Sequence, residues 1–132
     1  MNYHGTSLVI KNRGILLRGK PGSGKSDLAL RLIHQDATLI SDDQTDIAAQ
    51  NKELIATCPK TLEGKLEVRG VGIVDVSFIK QHPLHIIIDL VNWQKIDRLP
   101  EKKTEQLEGV NCLFYELDPF EMSVSDKIRK IL

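Results

Sequence analysis

The stretch Gly19-Lys20-Pro21-Gly22-Ser23-Gly24-Lys25-Ser26 narrows the folds open to this chain more than any other. It sets two glycines, a lysine and a hydroxyl at the offsets of a phosphate-binding loop. Without a Cβ, the glycines let the backbone turn tightly and bring successive N–H groups against phosphate oxygens. Lys25 adds a mobile full charge, and Ser26 offers an oxygen to a hard cation such as Mg²⁺. A helix starting near Lys25 would contribute roughly half a positive charge from its aligned peptide dipoles. The flanks fit: Gly14-Ile15-Leu16-Leu17-Arg18 reads as a short apolar strand entering the loop, and Leu28, Ala29, Leu32 and Ile33 repeat at helical spacing after it. The alternative, a chance glycine-rich turn before a helix, explains neither flank.

Length and charge then narrow the class. At 132 residues the chain is long enough to bury one core, so a single domain over residues 1–132 is expected. Lys plus Arg and Asp plus Glu both number 18, which excludes the global basic field that gathers nucleic acid or anionic membrane. No nucleic-acid or membrane partner is expected. Cys58 and Cys112 are too few for a disulfide framework and lack metal-ligand spacing, so they read as two buried thiols in a reducing compartment. With no apolar signal core and no run near the ~18 apolar residues of a membrane span, a cytoplasmic protein is expected.

Along the chain, Ser7–Ile10 and Ile15–Leu17 flank Lys11-Asn12-Arg13-Gly14 as an opening β-hairpin. Ala37–Ser41 reads as a strand ending on the adjacent carboxylates Asp42 and Asp43. Residues 46–49 and 53–56 suggest a second hairpin, so the loop is expected within a mixed sheet of an α/β fold. Pro59 to Gly64 reads as a connector or a single helical turn. Gly70 and Gly72 inside the apolar run Leu66–Val76 suggest bulging or close backbone approach. Leu84–Val91 is the most apolar run and should be a central buried strand. Asn92–Gly109 reads as an exposed charged loop, Cys112–Tyr115 as a last short strand, and Ser123 or Ser125 as the cap of a terminal helix.

Phosphoryl transfer needs a polyphosphate cradle, a divalent cation, a group serving the acceptor and positive charge for the transition state. The carboxylate candidates are Asp42, Asp43, Glu67 and Asp89. Asp89 follows an apolar strand, the generic placement of a carboxylate near Mg²⁺. The Asp42-Asp43 pair suits proton exchange, since one of two adjacent like charges is held neutral more readily; a solvated strand end or an Asx turn is the plain alternative. Glu67 and Arg69 could straddle a metal and a phosphate or form a surface ion pair. His4 would ordinarily be a floppy terminal residue, while His34, His82 and His85 read as structural or solvated.

Together, His4-Gly5, the Gly19–Ser26 loop, Leu39-Ile40-Ser41-Asp42-Asp43 and the segment Leu66-Glu67-Val68-Arg69-Gly70-Val71-Gly72-Ile73-Val74-Asp75-Val76 resemble the catalytic domain of HPr kinase/phosphorylase, in a short form. The resemblance implies a P-loop fold related to phosphoenolpyruvate carboxykinase, use of ATP and Mg²⁺, and a serine on an HPr-like phosphocarrier as acceptor. It implies residues 19–26 on the nucleotide, Lys25 on the phosphates, Ser26 and Glu67 on the metal, Asp43 as acid/base, and His4 and Arg98 as further catalytic residues. It also implies a homo-oligomer, a hexamer in the family. A small-molecule kinase with a non-protein acceptor is the rival reading. Where the family carries a basic segment linked to the reverse reaction, this chain has Glu116 and Asp118, so weak reverse activity is expected.

Overall fold

The computed structural model describes residues 1–132 and contains twelve strands, two α-helices and two single 3₁₀ turns, at Lys60–Leu62 and Trp93–Lys95. The strands are β1 (Asn2–His4), β2 (Thr6–Ile10), β3 (Arg13–Arg18), β4 (Thr38–Ser41), β5 (Gln44–Gln50), β6 (Glu53–Thr57), β7 (Lys65–Val68), β8 (Gly72–Asp75), β9 (Gln81–Leu84), β10 (Ile86–Leu90), β11 (Lys103–Leu107) and β12 (Val110–Leu117). The helices are α1 (Lys25–Ile33) and α2 (Val124–Lys130). A six-stranded mixed sheet runs β11-β12-β10-β3-β2-β4, a four-stranded sheet runs β1-β5-β6-β9, and β7 and β8 pair alone. No helix is long and apolar enough to cross a membrane.

Period-two alternation in the central strands splits the core in two. Ile15 and Leu17 of β3 and Ile86 and Ile88 of β10 join Leu28, Ala29, Leu32, Val124 and Ile128 beneath the helices. Leu16 and Ile87, pointing the other way, join Ile40, Ile47, Leu54, Ala56 and Leu84 against the four-stranded sheet. The central strands are therefore apolar on both faces. No helix covers the second face, because β5, β6 and β9 do so.

Three hairpins close through two-residue turns with both central residues at positive φ: Lys11-Asn12, Asn51-Lys52 and Glu108-Gly109. That turn type matches the twist of the paired strands. The first two hairpins fall where the sequence places them. Elsewhere the structure corrects the expectation. Gly70 and Gly72 are not bulges within one apolar strand but shape the turn of the β7–β8 hairpin, where Val68 pairs with Gly72. Asn92–Gly109 is only partly a loop, since β11 occupies 103–107 and pairs with a β12 twice the expected length. Asn2–His4 forms a strand on β5, so His4 is not a floppy terminal residue. Ser123 stands at the start of α2 without capping it through its side chain.

Leu84–Val91 is also not one strand: it changes sheets at His85. Leu84 ends β9 opposite Leu54, and Ile86 begins β10 between β3 and β12. Gly14 holds the crossing. Its N–H donates to His85 Nδ1 at 3.0 Å, and its carbonyl accepts the His85 N–H at 2.9 Å. A Cβ on Gly14 would overlap the Pro83 carbonyl, so only glycine allows this approach. Cys58 and Cys112 are both buried, and burial pushes the Cys112 thiol up to about 11.

Burial first, and then the nearby Arg13 charge, hold His85 below the ordinary histidine value of 6.5. On acidification the unfolded chain therefore takes up this proton before the folded one. Stability present above pH 6.5 should drain away as the pH falls below it. Thermal unfolding followed from about pH 7.5 to about pH 5.5 should show that fall, with His85→Asn flattening it. Gly14→Ala should cost roughly 1–3 kcal/mol in chemical denaturation, the usual range for forcing a methyl group into a packed site.

Candidate functional site

β3 ends at Arg18, and the glycine-rich loop follows before α1 begins at Lys25. β10 and β12 run parallel to β3 in sequence across the sheet, and β4 runs antiparallel to β2. The carboxyl ends of β3, β4, β10 and β12 thus share one edge, the edge where ligands collect in open α/β sheets. A cavity of about 580 Å³ opens there, lined by residues 18–23 from the end of β3 into the loop, residues 89–92 from the end of β10 onward, and Lys95.

Several features of the loop suit an anion. Gly24, at φ 97°, turns the chain into α1, whose first amides have no partner within the helix. The Ser23 hydroxyl is buried without a hydrogen-bond partner. Lys25 Nζ folds back and donates to the Gly19 carbonyl at 2.8 Å and the Lys20 carbonyl at 3.3 Å. Two neutral carbonyls are weaker partners for an ammonium than an anion is.

Beside the loop, a tight turn separates the two aspartates. Ser41 Oγ donates to the Gln44 carbonyl, and Asp43 takes φ 66°. As a result Asp42 turns inward, at 8% exposure, while Asp43 is exposed. Asp42 Oδ1 accepts from Ser26 Oγ at 2.8 Å and from Thr6 Oγ1 at 3.1 Å, and Oδ2 accepts the Glu67 backbone N–H at 3.0 Å. One carboxylate therefore holds the loop serine and the backbone of Glu67 together. The Glu67 side chain is exposed and makes no ion pair with Arg69, so the surface-pair alternative is not seen.

His4 lies next to Asp43 through the backbone: His4 pairs with Gln44, and the Gly5 N–H donates to the Asp43 carbonyl at 2.8 Å. Arg98 is not brought in. It is exposed on the segment after β10, has no hydrogen bond or ion pair, and does not line the cavity; Lys95 does. Asp89 is already engaged. Arg18 binds it in bidentate fashion at 2.6 and 3.1 Å and also holds Glu105 at 2.9 Å. Burial opposes the Arg18 charge, but the hydrogen bonds to Glu105 and Asp89 outweigh it and raise its pKa. Asp118 is buried as well, taken up by the N–H groups of Trp93 and Phe120, so it does not face the cavity as a repelling charge.

Thr6 is the site residue the sequence reading missed. Its hydroxyl donates to Asp42 and accepts the Asp43 N–H at 3.1 Å. Buried Ser7 and Thr45 continue the polar layer beneath it, with Thr45 Oγ1 donating to the Gly5 carbonyl at 3.0 Å. The available signal is a pair of hydroxyls, Thr6-Ser7, opening an otherwise apolar strand.

Fold and site thus define a mixed α/β protein whose glycine-rich loop and aspartate turn meet at one sheet edge. Comparisons with known proteins agree on where it belongs. A family model described as the HPr serine kinase C-terminal domain matches residues 1–121. The chain is 42% identical over 109 residues to the HPr kinase/phosphorylase of Pediococcus pentosaceus, covering 74% of this chain and 35% of the relative. It is 33% identical over 121 residues to that of Limosilactobacillus reuteri, covering 83% and 38%. The solved Hpr(Ser) kinase/phosphatase from Coxiella burnetii superposes with a TM-score of 0.90 at 30% identity, over 99% of this chain and 93% of that one. The chain belongs to the HPr serine kinase C-terminal domain family, and it spans little more than a third of the length of those curated relatives.

Thr6→Val keeps the shape and removes both hydroxyl bonds, leaving the Asp43 N–H without its partner. It should cost about 1–3 kcal/mol in denaturant titration, the range for an orphaned buried polar group. An unchanged midpoint would show that the aspartate turn stands without Thr6.

Proposed function

We propose that this chain is the catalytic part of a protein-serine kinase that transfers the γ-phosphoryl group of Mg²⁺-ATP to a serine of an HPr-like phosphocarrier. One observation carries this reading: Asp42 joins the serine of the glycine-rich loop to the backbone of Glu67, with Asp43 exposed alongside. Family membership supplies the acceptor class. The fold is then a P-loop fold related to phosphoenolpyruvate carboxykinase, forming a single domain over residues 1–132.

In this reading Gly19, Lys20, Pro21, Gly22, Ser23, Gly24, Lys25 and Ser26 cradle the triphosphate. The unpartnered Ser23 hydroxyl and the inward-lying Lys25 ammonium fit that cargo. Lys25 exchanges two backbone carbonyls for phosphate oxygens. Ser26 and Glu67 would hold Mg²⁺, which when bound neutralises charge developing on the phosphates. The serine oxygen bonds to the γ-phosphorus as the bond to the β-γ bridging oxygen breaks, and the serine proton passes to the Asp43 carboxylate. A left-handed backbone at an exposed aspartate is a conformation that functional sites often retain. His4, adjacent through the backbone, shares the acceptor side. Arg98 reaches the phosphoryl group only by movement of its segment or from a second copy in a homo-oligomer, a hexamer by family resemblance.

The protein acts in the cytoplasm, where the acceptor and ATP are found together. The reverse reaction is weak, since the segment around Glu116 brings no added positive charge for a second phosphate. With Asp118 turned inward, that bias rests on missing cations rather than on repulsion by this carboxylate.

The test is to combine the protein with Mg²⁺-ATP and an HPr-like carrier and to weigh the products, with small-molecule acceptors as the control arm. One phosphoryl group on the carrier is expected, and transfer only to a small molecule would overturn the reading. Lys25→Ala should abolish transfer with the fold intact. Asp43→Asn should lower kcat by about 10²- to 10⁴-fold, the usual contribution of a positioned acid/base, while nucleotide affinity changes far less. Glu67→Ala should raise the Mg²⁺ concentration needed for half-maximal activity without changing stability.

A further inference from the structure

We propose that Phe120 and Trp93 form the nucleobase subsite of this loop, with Asp118 as the residue that positions them; the inference rests on the nucleotide reading above. Both aromatic rings sit past the carboxyl ends of neighbouring strands, Trp93 three residues after β10 and Phe120 three residues after β12. They are 60% and 74% exposed and belong to neither core cluster, so packing does not explain them.

The backbone around them is nevertheless tightly held. Asp118 is 5% exposed, and its two oxygens take one aromatic segment each: Oδ2 accepts the Trp93 N–H at 3.0 Å and Oδ1 accepts the Phe120 N–H at 2.8 Å. No basic side chain pairs with it. A buried carboxylate without a counter-ion is a costly way to tie two loops, unless their relative placement matters. Two more bonds support the strap. The Val91 N–H donates to the Leu117 carbonyl at 3.0 Å, and Arg31 of α1 donates to the Pro119 carbonyl at 2.7 Å.

The strap lies against the loop itself. The Phe120 ring stands over Gly24, with two ring carbons 3.5 Å from where a Cβ on that residue would be, one residue from Lys25. The neighbouring turn that carries Trp93 supplies Asn92 and Lys95 to the wall of the 580 Å³ cavity. That volume falls in the range of sites that enclose a whole small ligand. Neither ring is part of the cavity wall, but a nucleotide with its phosphates on the loop has the Phe120 ring beside Gly24 and the turn that carries Trp93 at the rim of the cavity. Stacking suits a base because every base offers a π-face.

Calorimetric titration of the intact chain with Mg²⁺-ATP and with Mg²⁺-tripolyphosphate, which has the phosphates and no base, isolates the subsite. ATP should bind about 5- to 150-fold tighter, the fold-change that corresponds to one stacked base. Trp93 is the only tryptophan, so its fluorescence should respond to ATP and stay unchanged with tripolyphosphate. Phe120→Ala, a change at an exposed position, should bring ATP close to the tripolyphosphate affinity and leave tripolyphosphate binding as it was. Equal affinities in the parent protein, or an Ala variant that binds ATP undiminished, would overturn the subsite alone. A change in oligomeric state in that variant with ATP affinity preserved would assign the patch to a second copy and overturn it as well. Failure of both ligands to bind the parent would overturn the phosphate-loop reading, and this inference with it.

Discussion

The Asp42 carboxylate is the interaction on which the rest of the site depends. It accepts from Ser26 at the start of α1, from Thr6 at the start of β2 and from the Glu67 N–H on β7. These residues belong to three separate elements, and β7 is in neither large sheet. Each charge-assisted bond is stronger than one between neutral groups, and an interior position raises both its strength and the cost of losing it. The buried carboxylate fixes where the loop ends relative to Glu67. Its exposed neighbour Asp43 is left free of side-chain partners. Two adjacent residues of one type thus take unlike positions, one buried and one exposed, across a turn with a single positive φ.

A second carboxylate works in the same manner at the same sheet edge, directly after β12. Asp118 ties the segments after β10 and β12 as Asp42 ties those after β3 and β4. Between them, Arg18 draws together Asp89 of β10 and Glu105 of β11 at the strand end that feeds the loop. The edge is held by acceptors aimed at backbone N–H groups and by one guanidinium, whereas hydrophobic burial lies deeper, in the two clusters.

Local signals carried far. The loop, the first two hairpins, the apolar face of α1 and the strand that ends on the aspartate pair are all legible, because each rests on turn chemistry or periodicity within a few residues. What the sequence hid was decided at long range. Leu84 and Ile86 look like one strand because both faces of that run are apolar; only the second sheet, and Gly14 meeting His85, cut it in two. β11, Lys103-Thr104-Glu105-Gln106-Leu107, reads as loop because it is an edge strand with polar residues outward, held by pairing with β12 and by Arg18 reaching Glu105. Within the site, Glu67 and Asp42 stood out as carboxylates. That Thr6 joins them depends on β2 and β4 being neighbours, which no short window contains. Arg98 is the opposite case, a residue singled out by resemblance that this fold leaves apart from the cavity.

The central place of β10 bears on how the chain acquires its shape as it is made. All of Gly19–Ser26 and both aspartates precede β10 in the chain, so they leave the ribosome before it. At that moment β3, which carries the loop, has β2 on one side and an open edge on the other. The edge is closed only by residues 86–90, and β10 in turn by residues 113–117. On the side where Ile15 and Leu17 meet Leu28, Ala29 and Leu32 of α1, the places of Ile86, Ile88, Val124 and Ile128 are still unfilled. The stretch that holds the recognisable motif is thus not a smaller version of the site. Cut between β8 and β9, the chain would yield one fragment bearing the loop and another bearing the strand that seats it, each needing the other to complete the sheet.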